Sequence, residues 1–166
     1  MSEILGTLFK YLVAILGVAA VVLILNKTFG ANKVQNTIAQ VTQTTANIQA
    51  LYNAQNNFTS LNNAVVIAGK LAPTDMVSGT NLVNPWNGAV TFAVDTANAA
   101  RYKMTQSGVP NDACAKLATG IPGSISVQIN SGTVHNSATN PVEAGQATTH
   151  CNSTTDTNTL AFVFGR

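Results

Sequence analysis

The sequence predicts an α+β protein in which a long N-terminal helix packs on a roughly four-stranded antiparallel sheet closed by one disulfide. Three observations lead there: an almost unbroken apolar run from Ile4 to Leu25, a helical stripe that continues it, and four strand-like segments separated by turn signals. A helix with one apolar face must bury it, and an antiparallel sheet is the partner this element order supplies.

The first element is the run itself, interrupted only by Thr7 and Lys10 and preceded by Glu3. Twenty-two helical residues reach about 33 Å, which matches the hydrocarbon thickness of a bilayer. A cleavable signal peptide would have a shorter apolar core, so the segment reads as a retained membrane helix. Gly6, Gly17 and the alanines near them offer small surfaces for close helix contact, and they also fit ordinary transmembrane composition. Beyond the run, Val34, Ile38, Val41, Thr45, Ile48 and Tyr52 recur at helical spacing between amides and threonines. That spacing marks an amphipathic continuation to about Gln55. Asn26, Thr28, Gly30 and Asn32 all have poor helix propensity, which places a candidate kink at Asn26 to Gly30. The chain thus divides into an apolar helix over 1–25, an amphipathic half over 26–55 and a globular head over 56–166.

Within the head, Leu61 to Lys70 is a short helix candidate, followed by the breaker Pro73 and a turn-rich stretch from Asp75 to Asn81. Asn84 to Gly88 forms a compact turn before an alternating strand from Ala89 to Val94. A second strand runs from Arg101 to Gln106 and ends at Ser107 and Gly108. Asn111 or Asp112 caps a helix through Thr119 that carries Cys114. Ser124 to Asn130 alternates as a half-buried strand. Asn140, Pro141 and Glu143 signal a further helix ending near Cys151. Leu160 to Phe164 is the final strand. Trp86 reads as a ring tucked under its turn, and His135 and His150 as solvated loop residues.

Charged residues make up 8% of the chain and the net charge is +2. Soluble proteins usually carry about a quarter, so this surface is covered by amides, hydroxyls or neighbouring subunits. The cations are dispersed, which argues against direct nucleic-acid binding. Two histidines and six acids form no metalloprotease motif, nucleophile elbow or zinc-ligand spacing, so no catalytic, metal or cofactor residue is assigned. Cys114 and Cys151 stand alone, and behind an export-like segment they read as one disulfide in an oxidising compartment. Two unrelated buried thiols are the other reading. Lys27 and Lys33 would place the head in the cytoplasm by the positive-inside rule, against the cysteines.

Together these features resemble a type IV pilin of the type IVb branch, the group that includes bundle-forming and toxin-coregulated pilins and those of thin conjugative pili. The local matches are Gln49 to Tyr52, Asn84 to Gly88, the helix holding Cys114, Lys116 and Leu117, and the terminal Ala161 to Gly165. The family usually carries its early acid as the fifth mature residue, whereas the only early acid here is Glu3. The stalk proline of the other branch is absent.

The resemblance implies a major structural subunit that polymerises through its N-terminal helix into an extracellular filament on a Gram-negative cell. The subunit would wait in the inner membrane, with Met1 exposed by a prepilin peptidase and the pilus assembly machinery as its partner. Adhesion, aggregation or conjugative contact would be the task. Glu3 would pair between subunits with the amine of Met1, with Lys10, or with both. A minor pseudopilin of a type II secretion system and a monomeric membrane-anchored binding domain are the competing readings.

Overall fold

The computed structural model describes residues 30–135 and 142–165, without the side chains of 133–135. Met1, Glu3, Gly6, Lys10, Gly17 and Asn26, and with them the apolar run, lie outside the described residues. The chain divides into two compact units, Met1–Lys33 and Val34–Arg166. Helix α1 occupies residues 30–51, and Gly30 is helical at its described start.

Val34, Val41 and Ile48 on α1 are buried, and so is Tyr52 just beyond it. Ile38 and Thr45 are only half-buried, whereas Thr37, Gln40 and Thr44 are buried. The buried face is therefore wider and more polar than the apolar stripe indicates. Its polar members are satisfied locally or across the interface. The Thr44 hydroxyl donates to the Gln40 carbonyl at 2.7 Å, Gln40 Nε2 to Asp75 Oδ2 at 2.8 Å, and Asn47 Nδ2 to the Leu71 carbonyl at 2.8 Å. Where α1 ends, the rings of Tyr52, Phe58, Tyr102 and Phe164 follow one another at centroid spacings of 5.2, 4.8 and 5.4 Å. This aromatic chain runs from the helix end to the middle of the sheet.

Helix α2 (Asn63–Ala68) is capped by the Asn62 side chain, which accepts from the Val65 amide. A 3-10 turn (Thr74–Met76) leads into β1 (Val77–Ser78) and β2 (Asn81–Val83). Then come β3 (Ala89–Val94), β4 (Arg101–Val109), α3 (Asn111–Gly120), β5 (Ser126–Ile129), β6 (Gly132–His135), α4 (Ala144–His150) and β7 (Asn158–Gly165). The described strands form one antiparallel sheet in the order β1-β2-β3-β4-β7-β5-β6. The last strand in the chain is thus interior, pairing Tyr102 with Phe164 on one side and Val127 with Phe162 on the other. Its Leu160, Phe162 and Phe164 are fully buried, which an interior strand requires.

Among the described residues the sheet holds seven strands rather than roughly four. The additions, β1, β2 and β6, are two to four residues long. Strand β4 does not stop at Ser107 and Gly108 but passes through them to Val109, with a register irregularity between Gln106 and Val109. Gly108 takes φ +69° there, which bends the strand without ending it. Asn111 does not cap α3. Pro110 holds the cap position and Asn111 is the first helical residue, its side chain turned to other partners. Described helix α4 begins at Ala144, and Asn140 and Pro141 lie outside the described residues. His150 is the last residue of α4, half-buried and not in a loop, and His135 belongs to β6. Trp86 is half-buried and packs against the core.

Candidate functional site

Two features stand out among the described residues, a clamped C-terminal segment and an uncharged helix face. The clamp begins with the disulfide: Cys114, in α3, is bonded to Cys151, the residue that closes α4, across a sequence separation of 37 and a Cα–Cα distance of 5.7 Å. Cys114 is fully buried and Cys151 nearly so, which shields the bond from solvent. Helix α3 buries Ala113, Cys114, Leu117 and Ala118, but α4 buries only Ala147. The covalent bond therefore holds a helix that apolar burial alone would anchor weakly.

Beside the disulfide lies a relay of three asparagines. Buried Asn158 donates from Nδ2 to the Val109 carbonyl at 3.1 Å and to Asn111 Oδ1 at 2.7 Å, while its Oδ1 accepts from Asn130 Nδ2 at 2.9 Å. Asn130 also donates to the His150 carbonyl at 3.0 Å and accepts from the Thr159 amide at 3.0 Å. Asn111 brackets the backbone of Ser153, donating to its carbonyl and accepting from its amide, and the Asn111 amide donates to Asp156 Oδ1 at 2.8 Å. The relay joins the start of β7, the end of β4, the start of α3, the β5–β6 turn and the loop after Cys151. Sequence reading missed it, and its only trace was Asn158 standing two residues before the apolar segment that begins at Leu160.

The exposed face of α1 carries Gln35, Asn36, Ala39, Gln43, Ala46 and Gln49, and no charged residue occurs from Val34 to Gly69. Leu51, at its end, is the one exposed large hydrophobic residue among those described, 50% accessible. An open cleft of about 680 Å³ beside the helix is lined by Gln43, Ile67, Lys70 and Val77 among others, with Lys70 the single charged residue among its described lining residues. Among the described residues no group of histidine, cysteine and acids is placed to hold a metal ion, and no helix is long and apolar enough to cross a membrane. Burial pushes the Tyr102 phenol up to about 12, a rise that the neighbouring Thr45 hydroxyl only partly offsets. Neither hydroxyl completes a hydrogen bond.

A helix laid on an antiparallel sheet whose last strand is interior, with a disulfide closing the C-terminal segment, is the fold of a type IVb pilin. The crystal structure of the type IVb pilin from Salmonella typhi matches with a TM-score of 0.64 at 21% identity, covering 80% of this chain and 99% of that one. TcpA, a type IV pilin from Vibrio cholerae El Tor biotype, matches with a TM-score of 0.56 at 15% identity, covering 80% and 98%. The chain belongs to the bundlin family, whose sequence model matches residues 28–164. It is 27% identical over 148 residues to the major structural subunit of bundle-forming pilus of Escherichia coli O111:H-, covering 80% of this chain and 77% of that protein. The subunit of the same description from Escherichia coli O127:H6 (strain E2348/69 / EPEC) matches to the same extent.

Proposed function

We propose that this chain is the major structural subunit of a type IVb pilus, a structural rather than catalytic protein that polymerises into an extracellular filament. The observation that carries this is membership of the bundlin family over residues 28–164, where the similar Escherichia coli proteins are major subunits of bundle-forming pilus. The residues supply a physical route. The apolar run from Ile4 to Leu25 is stored in the inner membrane after processing by a prepilin peptidase, and the pilus assembly machinery transfers it as a helix into a bundle of identical helices. Burial at about 25 cal/mol per Å² of apolar surface then holds the subunits without covalent links. Gly6 and Gly17 allow close helix approach, Glu3 pairs with the Met1 amine of a neighbour, with its Lys10 or with both, and the weak helix formers from Asn26 to Gly30 supply a hinge. The charge-free face of α1 suits packing between subunits, because no ion has to be desolvated there. The filament serves adhesion, aggregation or conjugative contact and does not bind nucleic acid directly.

Shearing of producing cells tests this. Released fibres seen by electron microscopy should have this chain as their main polypeptide and vanish when its gene is deleted. Recovery of the chain only in the membrane fraction, with no fibres, would overturn the proposal.

A further inference from the structure

We propose that Asn87 is a site of spontaneous chemical modification that Asn84 keeps silent while the subunit is folded. Asn87 and Gly88 form an Asn-Gly pair with Asn87 exposed. In such a pair the glycine nitrogen, unhindered by a neighbouring side chain, attacks the asparagine Cγ. The N–Cγ bond forms and the Cγ–Nδ2 bond breaks, with the amide leaving as ammonia together with the proton of the glycine nitrogen. Solvent water then opens the five-membered imide at either carbonyl. One opening leaves aspartate, and the other leaves isoaspartate, whose backbone runs through the former side chain. The net change is amide plus water to acid plus ammonia.

The fold forces this labile pair on the turn. A Cβ at position 88 would overlap the Ser107 carbonyl oxygen and lie 2.6 Å from the Ser107 carbonyl carbon, so only glycine fits. Residue 87 has φ +61°, a left-handed conformation that asparagine tolerates better than most residues with a side chain.

The same turn withholds the attacking atom. The Gly88 amide donates to Asn84 Oδ1 at 2.9 Å, and Asn84 is buried with its Nδ2 fixed to the Ser107 carbonyl at 2.8 Å. The backbone closes the ring from both sides, Asn84 amide to Gly88 carbonyl and Asn87 amide to Asn84 carbonyl, each at 2.9 Å. To react, the Gly88 nitrogen must give up its proton and swing toward Asn87 Cγ, and both motions break this set. Once formed, isoaspartate adds a backbone carbon where Gly88 already presses on Ser107. The turn then cannot close as before, and a subunit that has opened carries a permanent mark.

The test follows conversion at Asn87 in the full-length chain in detergent micelles, by the mass gain and isoaspartyl content of the peptide that contains it. Conversion in the folded wild type should be slower than in the denatured chain by about tenfold or more, because several hydrogen bonds must open first. Asn84→Ala should raise the rate at Asn87 in the folded chain by about tenfold, whereas Val127→Ala, which weakens the core far from the turn, should leave it near wild type. Equal acceleration in both variants, or a folded wild type that converts as fast as the denatured chain, would overturn the proposal. If Asn84→Ala fails to fold, hydrogen exchange of the wild-type Gly88 amide decides. Slow exchange supports the protection, and exchange at the rate of an open amide refutes it.

Discussion

The two ends of the sheet are finished by different means. At the β1–β3 end, asparagine side chains stand in for a strand along the part of β3 that β2 does not cover. Asn63 donates from Nδ2 to the Val90 carbonyl at 2.9 Å and accepts from the Phe92 amide at 2.7 Å, and Asn62 bridges Ala93. These take up the part of the β3 edge that short β2 leaves open, beyond its pairs at Ala89 and Val90. At the β5–β6 end, asparagines are again used, but a disulfide joins them. Loop length is not the reason, because separations of 27 and 29 residues at one end and 20 to 49 at the other differ by less than a doubling, worth about 0.6 kcal/mol. The reason is apolar supply. Strands β1 to β4 follow one another as sequential neighbours on a well-filled core, whereas β7 must insert between two strands that do not pair with each other, reached through a helix that buries one alanine. The covalent tie stands where hydrophobic burial runs out.

The disulfide provides the strongest way to break that contrast. Cys114→Ser or Cys151→Ser should lower stability by about 4 kcal/mol, as the chain-entropy account of a loop this long predicts. The denaturant midpoint measures the loss, and hydrogen exchange should rise in α4 and the loop after Cys151 while α2 stays protected. A loss under about 1 kcal/mol, or protection lost evenly over both ends, would mean that α4 is held by its other contacts.

Asn158→Ala comes next. It leaves the buried Val109 carbonyl and the part-buried Asn130 Nδ2 and Asn111 Oδ1 each short of a bond, so a loss of about 2–3 kcal/mol is expected by urea denaturation. Asn63→Ala removes two backbone bonds from a half-buried site and should cost about 1–2 kcal/mol, with faster exchange confined to the Phe92 amide and its neighbours. If Asn63→Ala proved the costlier of the two, the β3 edge would be the weak end of the sheet and the contrast would reverse.

How much of this was legible follows from what periodicity weighs. Ala89 to Val94 alternates cleanly and the Asn84 to Gly88 turn carries its own chemistry, so both stood out and both are present. Strands of two and three residues such as Val77–Ser78 and Asn81–Val83 are too short to alternate, and they merged into a turn-rich stretch. Thr37, Gln40 and Thr44 looked like the wet side of a helix because a buried polar side chain is told apart only by its partners. The Asn130, Asn158 and Asn111 relay was hidden for the same reason. In a chain this rich in asparagine, no local pattern separates an amide bound to groups 20 to 49 residues away from one in water.

Between the two ends lies the aromatic chain, and Tyr102 at its centre shows what a polar group does where no asparagine reaches it. Its hydroxyl is buried without a completed hydrogen bond, and burial raises its ionisation from 10.0 to about 12. The folded state therefore holds the phenolic proton more tightly than the unfolded chain. Stability is fully present below pH about 10 and falls as pH rises toward 12, by roughly 3 kcal/mol in all. Tyr102→Phe should abolish that part of the alkaline loss, read as the difference between wild type and variant in urea titrations at neutral and alkaline pH. At neutral pH the same substitution should change stability by no more than about 1 kcal/mol, in the stabilising direction, because it removes a polar group that had no full partner. A clear loss at neutral pH would instead establish a working bond between Tyr102 and Thr45, and the centre of the sheet would then be tied by polar groups as its ends are.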